Sequence, residues 1–262
     1  MNLREALLTA RRERRTSVVP YLMVDRRRTP RLKSTVAALR KGGATALELG
    51  FPFSDPIADG PVLESAAGRS LAHGTRWSNL LDWCRHASEI LPTAVMTYAN
   101  PVLSHGLKAA AQELAEAGAS GLIVPDLSLE ESGPWRRAAR HAGVDLVLLA
   151  APGVSRERLE RIARASSGFL YLVARYGTTG ASRAGAGVDL TPLVATAHAA
   201  APSLPVLVGF GVRDAATAAR ALRSGADGVV VGSALEELLQ RNLRPDSVYR
   251  WLRTIAGARP RL

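Results

Sequence analysis

Eight short apolar runs rich in Val, Leu and Ile recur along the chain, and each leads through a turn into an amphipathic stretch. They cover residues 17–24, 46–50, 93–97, 121–124, 145–149, 169–173, 205–209 and 228–231. Near-continuous apolarity suits strands buried on both faces, as in a parallel sheet. The stretches between them carry helix signals: Thr29-Pro30 precedes 32–39, and Ser155 precedes 156–165, with Glu157 and Glu160 in its first turns. Further helical patterns span 107–117, 130–141, 190–199 and 214–222. Strand and helix therefore alternate as repeated βαβ units, and eight such units in about 250 residues fit a closed (β/α)8 TIM barrel. No Gly-x-Gly-x-x-Gly follows the first run, which argues against an open dinucleotide-binding sheet. An additional helix is predicted at 3–12, before the first strand, and another at 246–255. Without a low-complexity linker, residues 1–262 read as one domain. The longest interval between strands, 50 to 93, reads as an elaborated loop at the C-terminal mouth, where barrel active sites are built.

Composition narrows the class. The chain is 47% hydrophobic and 22% charged, the balance of a globular protein, and it lacks the roughly 18-residue apolar run of a membrane span. No secretory pattern follows the N-terminal arginines, and the lone Cys84 fits a reducing cytoplasm. Cys84 itself is expected on a surface helix. Thirty-four basic against 23 acidic residues give a net charge of +11, which raises the question of nucleic acid. Only Lys33, Lys41 and Lys108 are lysines, and the arginines are scattered apart from 11–15 and 26–28, with no interleaved aromatics. A small anionic substrate accounts for the charge more simply than a polyanion.

The densest segment is Leu47-Glu48-Leu49-Gly50-Phe51-Pro52-Phe53-Ser54-Asp55-Pro56-Ile57-Ala58-Asp59-Gly60-Pro61. Alternation points Glu48 into the barrel at its mouth end. There it is either a desolvated proton-transfer group of raised pKa or a buried ion-pair partner. Asp59 is either a second carboxylate in a wetter setting or a turn residue. Gly209-Phe210-Gly211 and Gly232-Ser233 end the seventh and eighth runs, where barrels hold phosphate on backbone amides and a helix start. Gly177-Thr178-Thr179-Gly180, after the sixth run, reads as a lid or a solvent loop. The five histidines are dispersed without metal-ligand spacing, and no Gly-x-Ser-x-Gly elbow is present.

These residues resemble the tryptophan synthase α-subunit family. The resemblance is carried by Glu48-Leu-Gly-Phe-Pro-Phe-Ser-Asp-Pro-Ile-Ala-Asp-Gly-Pro61, Met96-Thr-Tyr-Ala-Asn-Pro101, Val124-Pro-Asp126, Gly177-Thr-Thr-Gly180, Gly209-Phe-Gly211 and Gly232-Ser-Ala234, in family order. It implies retro-aldol cleavage of indole-3-glycerol phosphate into indole and glyceraldehyde 3-phosphate, without a cofactor or metal, beside a β-subunit. Under it, Glu48 resembles the acid/base that protonates indole C3, and Asp59 the carboxylate facing the indole N–H. Tyr171 matches a tyrosine near the glycerol chain, and Thr179 a residue that orders Asp59. Gly180, Gly211, Gly232 and Ser233 match the phosphate cradle, and Tyr98, Asn100 and Asp126 the region facing the β-subunit. The chain departs from the family after its first strand, reading Val24-Asp25-Arg26-Arg27-Arg28-Thr29-Pro30 where Gly-Asp-Pro is usual, and at Thr178 where valine is usual. That altered rim is the sequence hint for an alternative, a stand-alone lyase releasing indole. A non-catalytic regulatory subunit is a further alternative, opposed by the retention of Glu48, Asp59 and the phosphate glycines.

Overall fold

All eight apolar runs become parallel strands that hydrogen-bond in sequence order and close into a barrel. They are β1 (Ser17–Met23), β2 (Leu47–Gly50), β3 (Thr93–Met96), β4 (Ala119–Ile123), β5 (Asp145–Ala150), β6 (Leu170–Val173), β7 (Val206–Gly209) and β8 (Gly228–Val231). The last strand pairs with the first in the register Ser17↔Gly228 through Pro20↔Val231. The computed structural model describes residues 2–174, 189–241 and 245–258.

Side chains alternate between the barrel interior and the surrounding helices. Val19, Ala46, Ala94, Val147, Phe169, Leu207 and Val230 fill the interior, while the outward-facing strand residues join the larger helix-packed core. The predicted additional helix, α1 (Leu3–Arg12), lies beneath. Its Leu3 and Leu7 are fully buried and belong to the interior cluster. A Cβ at Gly121 would come within 2.7 Å of the Leu3 side chain, so the inserted leucine claims the space that glycine leaves. Asn2 and Glu5 hold the helix start through a reciprocal capping box. The bottom of the barrel is thereby plugged, and the C-terminal mouth is the end left for chemistry.

The outer layer comprises α2 (Leu32–Lys41), α3 (Pro61–Ala72), α4 (Trp77–Ser88), α5 (Ala99–His105), α6 (Leu107–Glu116), α7 (Ser132–Ala142), α8 (Arg156–Ala165), α9 (Thr191–Ala200), α10 (Ala215–Arg223), α11 (Ser233–Gln240) and α12 (Pro245–Ala256). Two expectations need correction. The interval after β2 is a loop only as far as Gly60; two twelve-residue helices follow. Helix α3 opens on Pro61, but it buries only the small residues Ala66, Ala67 and Ser70, so its packed face has little hydrophobic signal. Cys84 is fully buried, because α4 turns Leu80, Trp83, Cys84 and Ala87 together against the barrel. Among the described residues, no helix is long and apolar enough to cross a membrane.

Candidate active site

A cavity of about 740 Å³ occupies the mouth and is lined by Glu48, Tyr171, Gly211, Gly232 and Ser233 together. Strand register explains the convergence. Glu48 lies opposite Tyr21 across the β1–β2 pair and opposite Ala94 across β2–β3, on the interior face near the strand ends. The backbone makes room for the tyrosines. Tyr21 leans over Gly50 and Tyr171 over Gly209, in each case into the volume a Cβ would need.

Glu48 is fully buried, and neither carboxyl oxygen has a hydrogen-bond partner among the described residues. An ion pair within that set is therefore excluded. Desolvation, with the Asp59 charge adding to it, pushes its pKa up to about 8. At neutral pH this carboxyl holds a proton that nothing in the described structure engages. Tyr171 is 4% exposed, and burial, with Glu48 and Asp59 nearby, keeps its phenol neutral well above the ordinary range.

Asp59 departs from its expected wet setting. It is only 7% exposed, and burial raises its pKa to about 6, opposed by a hydrogen bond from the Tyr98 hydroxyl and reinforced by Glu64. The flanking Ala58 and Gly60 line the cavity while Asp59 does not. Tyr98 holds this loop through its hydroxyl, which accepts the Ala58 N–H at 3.0 Å. Its ring packs on Phe53 at 5.3 Å. Asp126, exposed beyond β4, accepts the Ala99 N–H at 2.9 Å and so steadies the first turn of α5; Asn100, also in that turn, is exposed. Thr179 and Gly180 lie outside the described residues.

The opposite wall is backbone. Helix α11 starts at Ser233 with Gly232 as its cap residue, and both line the cavity. The cap has no side-chain hydrogen bond among the described residues, so the first-turn N–H groups that a helix start leaves free lie at this wall. Phe210 (φ 61°) and Gly211 (φ 136°) both take positive-φ conformations in the turn after β7, and Phe210 packs edge-on against Tyr171 at 5.5 Å. Gly232 is different. Its φ is −113°, and a Cβ there would meet Tyr21 and Leu63 at an ordinary 3.5–3.6 Å. The fold does not require glycine at 232, a residue that lines the cavity.

Sequence reasoning missed Tyr21, whose only signal was strand alternation from Val19, and Arg213, which also lines the cavity. The arginine loop also differs from a simple charged rim. It forms a 3-10 helix, Arg26–Arg31, in which Arg28 turns inward to Glu236. Among the described residues, no three His, Cys, Asp or Glu side chains gather as a metal site.

A family model described as tryptophan synthase alpha chain matches residues 7–252. The chain belongs to the tryptophan synthase alpha chain family. Among its relatives, the tryptophan synthase alpha chain of Gloeobacter violaceus is 42% identical over 239 residues, covering 89% of this chain and 84% of the relative. That of Methanosarcina mazei is 38% identical over 232 residues, covering 88% and 83%. The solved Mycobacterium tuberculosis tryptophan synthase superposes with a TM-score of 0.86 at 35% identity, over 98% of this chain and 97% of that one. The alpha subunit from Legionella pneumophila gives 0.84 at 31%, over 98% of each. Membership makes the chain a lyase-type alpha subunit of tryptophan biosynthesis.

Proposed function

We propose that this α-subunit cleaves indole-3-glycerol phosphate by a retro-aldol reaction, and that Glu48 is its acid/base. The observation that carries the reading is the buried Glu48 carboxyl, unpartnered among the described residues, facing a cavity whose other wall holds the start of a helix. Protonated Glu48 delivers its proton to indole C3, which leaves an indoleninium cation. The Glu48 carboxylate then takes the proton of the adjacent glycerol hydroxyl. The carbon–carbon bond breaks, its electrons restore the indole ring, and the hydroxyl carbon becomes the aldehyde. Asp59, ionised above about pH 6, offsets the charge on the ring nitrogen once its loop moves the carboxylate into the cavity. Tyr171 donates a hydrogen bond to the glycerol chain. Gly211, Gly232 and Ser233, with Gly180, hold the phosphate, and Thr179 orders Asp59. The reaction takes no cofactor.

A β-subunit is the partner in this reading, and the cytoplasm its compartment. Ile57, 71% exposed beside Asp59, and Leu103, 53% exposed on α5, supply apolar surface near the mouth for such a contact. The altered loop favoured a stand-alone lyase while all three arginines counted as rim; Arg28 facing inward weakens that argument. Indole release from the purified chain, measured with and without a β-subunit, tests the proposal. Stimulation by the β-subunit and its loss in Glu48→Gln are expected. Near wild-type turnover in Glu48→Gln would place the acid elsewhere.

A further inference from the structure

We infer that Arg213 is the cationic ligand of the substrate phosphate, held by Glu237 while the site is empty. The inference rests on the phosphate-cradle reading above and adds a residue to it. Arg213 lines the same cavity as Gly211, Gly232 and Ser233. Its backbone is pinned, since its N–H donates to Thr217 Oγ1 at 2.9 Å where Asp214 caps α10. Its side chain is half exposed, and one guanidinium nitrogen lies 2.6 Å from Glu237 Oε2 on α11, the helix whose N-terminus forms the cradle. Asp214, the other nearby carboxylate, is engaged with Thr217 at the α10 cap.

An ion pair this exposed contributes little to folding. The stability of the fold therefore does not account for an arginine at this place. A phosphate dianion on the α11 amides would compete with Glu237 for the guanidinium. It would have the advantage of double charge and of the planar, forked geometry that suits arginine to phosphate. Backbone amides supply shape but no net charge, and Arg213 supplies the charge. The arrangement also favours a phosphorylated substrate over its dephosphorylated counterpart.

Two substitutions of opposite sign separate this role from a merely structural one. Inorganic phosphate is titrated calorimetrically into the wild-type chain, Arg213→Gln, Glu237→Gln and the double variant, at constant ionic strength. Arg213→Gln is expected to weaken binding about fivefold or more, and Glu237→Gln to tighten it two- to threefold by removing the competitor. The double variant should match Arg213→Gln, because Glu237 acts only through the arginine. For indole-3-glycerol phosphate, KM should rise in Arg213→Gln by more than kcat falls. Unchanged phosphate affinity in Arg213→Gln, or equal weakening in both single variants, would overturn the inference while leaving the cradle standing. A wild-type chain that binds no phosphate would overturn both.

Discussion

The Glu236 carboxylate, fully buried in the first turn of α11, takes the Met23 N–H at 2.9 Å on one oxygen and the Arg28 guanidinium at 2.7 Å on the other. The pair ties the end of β1 and the altered loop after it to the helix that opens at the candidate phosphate cradle. A buried ion pair is not in itself evidence of net stabilisation, yet breaking one by removing a partner is costly. Arg28→Ser should therefore destabilise the chain by about 3 kcal/mol in urea melts, whereas changes at Arg26 and Arg27 should stay within about 0.5 kcal/mol. Glu236→Gln keeps an acceptor for Met23 and leaves Arg28, partly exposed, able to reach water, so its loss should be smaller. Equal effects at positions 26, 27 and 28 would contradict this assignment.

In the proposed reaction the two raised carboxyls should set the pH dependence of activity. Glu48 is a competent acid below about pH 8 and Asp59 an ionised partner above about pH 6. The kcat/KM profile should be a bell with limbs near those values, belonging to the coupled pair. Glu48→Gln, which cannot exchange a proton, should lose about 10²–10⁴-fold in kcat with substrate binding near normal.

Stability should run the opposite way to an ordinary carboxylate ion pair. Both groups keep their protons in the fold at pH values where the unfolded chain has lost them. Native protein thus binds more protons than unfolded protein, and stability falls as pH rises from about 4 through about 8. Thermal melts of Glu48→Gln should match wild type near pH 4 and exceed it above pH 8. A wild-type Tm that climbs across that window would contradict the assigned shifts.

Tyr98 is expected to govern Asp59. Its hydroxyl donates to that carboxylate and so holds the pKa below what burial alone would give. Tyr98→Phe removes the donor, so the acidic limb of the pH–rate profile should move above 6 and leave the alkaline limb nearly in place. The substitution also leaves the Ala58 N–H without its acceptor, which should cost about 1–3 kcal/mol in stability.

Gly232→Ala separates the needs of the ligand from those of the fold. The backbone there is compatible with alanine and the new methyl has ordinary contacts, so melting should change by no more than about 1 kcal/mol. Phosphate affinity should drop, because the methyl occupies the space from which amides approach the anion. Gly211→Ala cannot make this separation, since φ is 136° and any side chain is strained there.

The barrel was legible in the sequence because parallel strands buried on both faces must be continuously apolar, and β8 begins and ends at the residues its apolar run marks, Gly228–Val231. Glu48 stood out for the same reason, as a charge in the middle of such a run, whereas Asp145 stands at the first position of its own. Helix α3 did not, because small side chains bury a face without leaving an apolar stripe. The setting of Asp59 was equally out of reach: a loop carboxylate reads as wet until the packing of Tyr98 and Phe53 over the loop is known. Arg28, Arg213, Glu236 and Glu237 look alike in a chain of net charge +11. Only the closed barrel, by bringing the ends of β1, β7 and β8 together, decides which arginine is turned inward against a buried carboxylate and which faces the cavity. Local pattern determines which segments are buried; partners far apart in sequence determine what each charge does.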